Sequence, residues 1–381
     1  MNFTLTDEQK LIRRTVRQFA EAYVRPRAKE IDLEAKFPVK TFERMGELGL
    51  LGIPFPSRYG GSDGDTISYA LAVEEIGRAC ASTGLSYAAA VSLGAAPIYM
   101  FGTEEQKKKY LIPLAEGKAL GAFGLTEPNA GSDASGTETT AILDGDEYVI
   151  NGEKIFITNA SYAETIIITA VTGKNESGNN IISALIVPTK AEGVTIMTPY
   201  DKMGVRGSNT AQIILENVRI PKENLLGDPK AGFRQFLSTL DGGRISIGAL
   251  SVGVAQDALD KSLQYAKERK QFGKSIAQFQ AIQFELANMA MEVELARNQV
   301  LKAAWLKDQG KPFTKEAAIA KLFASETAVR NAERAVQIHG GYGYMREYEV
   351  ERLMRDAKLL VIGEGTSEIQ RLVIARQLLK A

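Results

Sequence analysis

The chain has 381 residues, with 46 basic and 46 acidic side chains, one histidine and one cysteine. That length exceeds one ordinary core and predicts two or three domains. The cancelled charge leaves no net field to draw nucleic acid or an anionic membrane. Cys80 alone forms no intrachain disulfide, which suits a reducing compartment.

The first residues lack the apolar core of a signal peptide and carry acids that transit peptides avoid. They read as the start of a folded domain in a cytoplasmic protein, or in a mature mitochondrial-matrix one. No apolar run approaches the roughly 20 residues of a membrane helix. Thr6 is placed to cap a helix with one face of Leu11, Ile12, Val16, Phe19 and Tyr23, broken near Pro26. A second helix is predicted from about residue 38 to 49, a loop over 54–61, and buried helices over 65–79 and 85–101. Thr103 caps another.

From about residue 119 to 226 the period becomes that of strands. Apolar or β-branched runs lie at 148–150, 165–171, 181–187 and 212–215, with Asp144-Gly145 and Asn151-Gly152 as hairpin signals. Beyond Gly232 long helices return. One stripe is Val254, Leu259, Leu263 and Ala266; a second is Ile282, Leu286, Met289, Val293 and Ala296. A third, capped by Thr314, carries Ile319, Leu322, Phe323 and Val329 and stops at Gly340-Gly341. The expectation is an α+β multidomain chain: a helical domain over 1–118, a β domain of sandwich or barrel type over 119–230, and a four-helix bundle over 231–381.

Near the end, residues 359–371 read LLVIGEGTSEIQR. An apolar run delivers Glu364 between Gly363 and Gly365, whose missing Cβ atoms permit unusual backbone angles and close approach of a ligand. Thr366 and Ser367 offer caps, and Ser367 with Gln370 fits a capping box. A carboxylate is thus predicted at the positive end of a helix, where phosphates also settle. The plainer alternative is a surface Glu in a Gly-rich turn.

Several chemistries lack their residues. His339 and Cys80 alone make no zinc cluster, and no G-x-S-x-G elbow or P-loop occurs. Gly363-Glu364-Gly365 begins a G-x-G-x-x-G but has Glu368 where the third glycine belongs. A His339–Cys80 dyad is open in principle, a structural histidine being the simpler reading. Carboxylates are what remains for acid–base work.

Five stretches now carry a resemblance. Residues 124–136 (GLTEPNAGSDASG), 154–159 (KIFITN), 269–273 (RKQFG), 337–347 (QIHGGYGYMRE) and the Glu364 segment resemble acyl-CoA dehydrogenase motifs, in that family's order. The family's helical, β and four-helix domains match the alternation read above. The resemblance implies an FAD enzyme that converts an acyl-CoA to a trans-2-enoyl-CoA, a base taking the α-proton while a β-hydride goes to flavin N5. It also implies an electron-transferring flavoprotein as electron acceptor and a homo-oligomer, usually a tetramer, without a membrane span, nucleic acid or metal.

By that resemblance Glu364 is the base, and its backbone N–H is one hydrogen-bond donor to the thioester oxygen. Such donors are worth roughly 3–4 kcal/mol each. Phe123, Leu125, Thr126, Ser132, Phe156, Ile157 and Thr158 match the flavin ring site. Arg269, Phe272, Phe279, Gln280, Gln337, Ile338, Gly340 and Gly341 match positions that reach the cofactor of a neighbouring subunit, while Thr366 and Glu368 match positions near its phosphates. Ser132, Asp241, Arg244, Gly363 and Gly365 match the substrate site. Plainer alternatives stand beside these: a core aromatic for Phe156, a solvated charge for Arg269, a helix cap for Asp241.

One subgroup takes its base from the helix expected to begin near Arg244, but Gly243 occupies that place here. Most relatives have an aromatic, usually Tyr, before the catalytic Glu, whereas this chain has Gly363. Isovaleryl-CoA enzymes share that glycine, and overall similarity is to the butyryl-type enzymes, so a short or branched acyl chain is expected. Alternatives of the same fold are an acyl-CoA oxidase using oxygen, whose chains are usually longer, and a non-enzymatic DNA-associated flavoprotein, whose basic C-terminal extension is not present here.

Overall fold

The computed structural model describes residues 4–380; Met1, Asn2, Phe3 and Ala381, at the ends of the first and last predicted domains, lie outside it. The first helix, α1 (Asp7–Phe19), starts at a full capping box in which Thr6 and Gln9 satisfy each other's backbone N–H. It passes through a π turn and a 3-10 turn holding Pro26 into α2 (Ala28–Glu34). After α3 (Val39–Glu47) come α4 (Thr66–Ala79), α5 (Ala81–Ala89) and α6 (Ala96–Phe101), the last two joined by a π turn, Ala90–Ala95. Contrary to the sequence expectation, Ala81–Phe101 is, at 21 residues, apolar and long enough to cross a membrane, but 78% of its most apolar part is buried in the fold. The short α7 (Glu104–Gln106), capped by Thr103, and α8 (Ile112–Ala115) close the region.

The central sheet comprises β1 (Leu120–Gly124), β2 (Thr140–Asp144), β3 (Glu147–Thr158), β4 (Ala163–Lys174), β5 (Asn180–Pro188), β6 (Val194–Ile196), β7 (Thr210–Pro221) and β8 (Leu225–Leu226). Its order is β6-β7-β3-β2-β4-β5-β8, with β1 parallel to β4 at one side. Asp144-Gly145 opens the β2–β3 hairpin as expected. Asn151-Gly152 does not form a turn. It sits inside β3 at a register shift against β7, where a Cβ on Gly152 would lie 2.4 Å from Thr139 Oγ1. The glycine serves close strand approach rather than chain reversal.

The remaining chain forms α9 (Gly232–Glu268), the small β9–β10 hairpin (Lys270–Gln271 with Lys274–Ser275), α10 (Gln280–Asp308), α11 (Thr314–His339), α12 (Val350–Leu360) and α13 (Ser367–Leu379). The predicted stripes of α9 and α10 are largely buried. That of α11 is not: its buried face is Ala317, Ala320, Ala324, Ala328 and Ala332 with Lys321, Ser325 and Asn331, while Ile319, Leu322, Phe323 and Val329 are half-buried. Small side chains let α11 pack closely on α9, where a Cβ on Gly248 would meet the Ala320 backbone. Nor does Thr314 cap this helix; its hydroxyl donates to Asp241 Oδ2 at 2.6 Å, and Phe313 holds the cap position.

The three parts meet at Arg355 on α12. Its guanidinium donates to both carboxylate oxygens of Asp32 on α2 (2.9 and 2.6 Å) and to the Met203 carbonyl of the β6–β7 connection. The next residue, Asp356, accepts the Val205 N–H at 2.5 Å. This junction fixes α12, and with it the turn that carries Glu364. Arg355→Met should destabilise the protein by about 1–3 kcal/mol in urea denaturation, the pair being partly screened by solvent.

Candidate active site

α12 ends in a turn in which the Ile362 and Gly363 N–H groups both donate to Leu359 O at 2.9 Å. Glu364 then takes a left-handed φ of +54° and Gly365 one of +93°. For glutamate that conformation is strained, and such strain persists only where neighbours enforce it. Two side chains do so. Gln370 Nε2 donates to the carbonyls of Glu364 (3.2 Å) and Gly365 (2.9 Å), and Lys321 Nζ donates to Gly365 O at 2.8 Å. The expected Ser367–Gln370 capping box is therefore not formed. Thr366 caps α13 by accepting the Ile369 N–H, and Gln370 is diverted to the loop carbonyls.

Among the described residues the Glu364 N–H donates to nothing, and the carboxylate Oε2 is shut from solvent without a partner. The carboxylate lies against α9, where a Cβ on Gly243 would be 2.1 Å from Oε2. Burial pushes the Glu364 pKa up to about 7, opposed by the positive charges of Lys321 and Arg244. The surface-turn alternative thus fails: Oε2 is shut from solvent, and the carboxyl holds its proton more tightly than a free one. Arg244 pairs with Asp241, but its Nε is buried and unpartnered. Asp241 is no helix cap, because α9 starts at Gly232 rather than near Arg244; it bridges Arg244 and Thr314.

A second group converges where β1 runs into the β3 edge. Phe123 stacks on Phe236 of α9 with centroids 4.2 Å apart, and the Thr126 carbonyl accepts the Ile155 N–H at 2.9 Å. Leu125 and Thr126 thus lie beside Phe156, Ile157 and Thr158. Phe156 is not a core aromatic: it is 61% exposed at φ +58°, near the Tyr200 ring. Beneath this edge Lys154, fully buried, donates to Glu127 Oε1 at 2.5 Å and to Thr169 Oγ1 at 3.1 Å. Glu127 also accepts the Glu138 N–H. Burial draws the Lys154 pKa down to about 8 against the pull of Glu127. Sequence reading passed over this pair and Lys321, although both members of the pair stand inside quoted motifs.

Family models described as acyl-CoA dehydrogenase N-terminal, middle and C-terminal domains match residues 6–118, 122–218 and 230–379. The chain belongs to the acyl-CoA dehydrogenase family. It is 72% identical, over 100% of both chains, to a Bacillus subtilis protein named probable acyl-CoA dehydrogenase YngJ. It resembles the solved butyryl-CoA dehydrogenase of Megasphaera elsdenii (46% identity, TM-score 0.97, 100% of both chains). A third similar chain belongs to a structure described as the electron transferring flavoprotein of Acidaminococcus fermentans (48%, 0.97, 100% of both). The protein is accordingly an FAD-dependent enzyme that dehydrogenates an acyl-CoA.

The residues fit that cofactor. An exposed Phe156 beside Thr126 and Thr158 offers a face and polar edges for a planar ring. The other residues that resemble FAD contacts gather elsewhere. Arg269 follows α9, 25 residues beyond Arg244, which at the helical rise is about 37 Å. There its guanidinium covers the Tyr342 ring at 5.5 Å, and Phe272, 93% exposed at φ +52°, meets Phe279 edge-on. Gln280 opens α10; Gln337 and the buried Ile338 lie in the last turn of α11, and Gly340 and Gly341 start the 3-10 turn after it. Thr366 and Glu368 stay with the Glu364 turn, and Ser132 is exposed on the loop after β1. His339 is structural, its Nδ1 2.7 Å from Ala335 O and its ring stacked on Tyr265.

The Glu127–Lys154 pair yields a direct test. Glu127→Leu strands a buried ammonium and should cost about 3–5 kcal/mol in thermal or urea denaturation, whereas Glu127→Leu/Lys154→Met should recover most of it.

Proposed function

We propose that the enzyme acts on short or branched acyl-CoA thioesters, with Glu364 as the base that removes the α-proton. The observation that carries this is the carboxylate itself: its Oε2 is buried without a partner, and its pKa is raised to about 7. The Glu364 N–H, free of internal bonds, is suited to the thioester oxygen as enolate character develops. The bound FAD supplies the acceptor for the β-hydride. Both C–H bonds break, the Cα–Cβ double bond forms, and the proton stays on Glu364.

Arg244 and Ser132 are suited to the CoA end. A cavity of about 840 Å³ near the N-terminus of α9 is lined by Ser135, Lys174, Lys230 and Phe233, with one carboxylate, Glu176, among them. Two lysines and a helix N-terminus there are suited to phosphates. The exposed apolar side chains of the C-terminal region, including Phe272, Phe284, Met291, Leu295 and Trp305, support a homo-oligomer. The distance between Arg269 and the Glu364 turn supports a cofactor shared between subunits, in a tetramer of the family's kind. An electron-transferring flavoprotein is the proposed electron acceptor, consistent with the similar chain found in such a structure.

Gly363 supports the substrate range. Its φ is not left-handed, and an added Cβ would meet only Leu359 at 3.6 Å or more. The backbone does not require glycine there, so the missing side chain reads as space left beside the base.

Butyryl-CoA added without oxygen should bleach the flavin, at a rate that rises with pH through about 7 as Glu364 loses its proton. Glu364→Gln should stay yellow while losing at least roughly 10²–10⁴ in that rate, and a variant that still bleaches would sink the base assignment. Butyryl-, isobutyryl- and 2-methylbutyryl-CoA should be turned over better than octanoyl-CoA. Gly363→Tyr should cut the branched substrates roughly tenfold more than butyryl-CoA; preference for octanoyl-CoA in the parent enzyme would refute the assigned range.

A further inference from the structure

Lys321 is fully buried on α11, and its one hydrogen bond among the described residues goes to the Gly365 carbonyl. An ammonium at that depth loses its hydration, so packing alone gives no reason for lysine over methionine. The charged groups around it come from several elements. Arg244 on α9 is committed to Asp241, and Glu326 on α11 to Arg371. Glu368 is exposed on the first turn of α13. That leaves Glu364, whose charge also reaches Tyr69 of α4, a hydroxyl that donates to Ala88 O. An uncommitted buried cation therefore stands near an uncommitted buried anion, yet no ion pair within 4 Å is formed between them among the described residues.

We propose that Lys321 is a positioning residue for Glu364: its ammonium anchors the Gly365 carbonyl, holding the left-handed turn with N–H and carboxylate toward the substrate, and its charge favours the ionised form of that carboxylate. The inference rests on the reading of Glu364 as the base. Separation is what makes the arrangement useful. A contact pair would occupy the carboxylate oxygens, whereas a charge beyond contact biases ionisation and leaves Oε2 free for the α-proton. The opposing charges on Glu364 agree in rank, Lys321 lowering its pKa more than Arg244 does.

The test uses FAD-loaded enzyme carrying Lys321→Met, Lys321→Gln or Lys321→Arg, beside the parent and Glu364→Gln. Two readouts are taken against pH: the anaerobic rate of flavin reduction by butyryl-CoA, and the protonated-carboxyl infrared band that Glu364→Gln removes. In Lys321→Met and Lys321→Gln both midpoints should rise by about one unit. The rate at pH 7 should then fall about fivefold and recover at higher pH, while Lys321→Arg keeps the parent midpoints. A rate loss equal at every pH, with the carboxyl band titrating as in the parent, would overturn the proposal and leave Lys321 a packing residue. Should Lys321→Met fail to fold, Lys321→Gln decides in the same way. Bleaching by Glu364→Gln would instead overturn the base assignment, which keeps the two failures apart.

Discussion

Burying the Glu364 carboxylate strips it of water, and its surroundings answer to that loss. Without compensation the group would hold its proton and could not act as a base at neutral pH; with a contact ion pair it would be ionised but occupied. The fold takes a middle course. Lys321 and Arg244 supply positive charge without touching the carboxylate, and the pKa settles at about 7. Glycine at 243 makes room for the carboxylate in this position, because a Cβ there would enter the space of Oε2 and push it aside. The left-handed backbone of Glu364 is tolerated because Gln370 and Lys321 hold the two carbonyls that the turn leaves unpaired.

The protein contains a second buried lysine–glutamate arrangement, and the contrast is instructive. Lys154 and Glu127 are in contact at 2.5 Å and bonded to further partners, so each is chemically silent. Their task is to brace the loop from Leu125 to Glu127 against β3, where the flavin edge is proposed. The same two residue types, brought together, make a support; held apart, they leave a carboxyl group with a tuned proton affinity, the proposed base. Separation, rather than residue identity, divides scaffold from chemistry here.

Much of this was legible in the sequence where the signal is local. The Thr6 and Thr103 caps, the strand runs and the long C-terminal helices each follow from a few neighbouring residues; that both caps are full capping boxes came from the structure. The excluded motifs left carboxylates for acid–base work, and it was the resemblance of the segment around Glu364 that singled out this one among 46 acidic side chains. Readings failed where a tertiary contact outbid a local pattern. Asn151-Gly152 spells a turn, but Thr139 presses on that glycine within a strand. Ser367 and Gln370 spell a capping box, but Gln370 has a stronger claim from two stranded carbonyls. Thr314 spells a cap, but Asp241 reaches its hydroxyl. Lys321 was invisible for a related reason. The apolar stripe pointed to Ile319, Leu322, Phe323 and Val329, so a lysine between them reads as solvated, and only the alanine packing of α11 on α9 shows that it faces inward.

The glycines near the base separate into different physical roles, and that separation bears on specificity. Gly365 is required by its backbone, at φ +93°. Gly243 makes room for its neighbour, the Glu364 carboxylate. Gly363 is required by neither, since its backbone angles suit any residue and its Cβ position is open. A position that the folded chain itself would let hold a large side chain, immediately before the base, leaves its volume to whatever lies against the base. On the proposed reading that occupant is the acyl chain near its reacting carbons. Gly363 would then widen the pocket where a branch at the α- or β-carbon sits, without lengthening it for a longer chain.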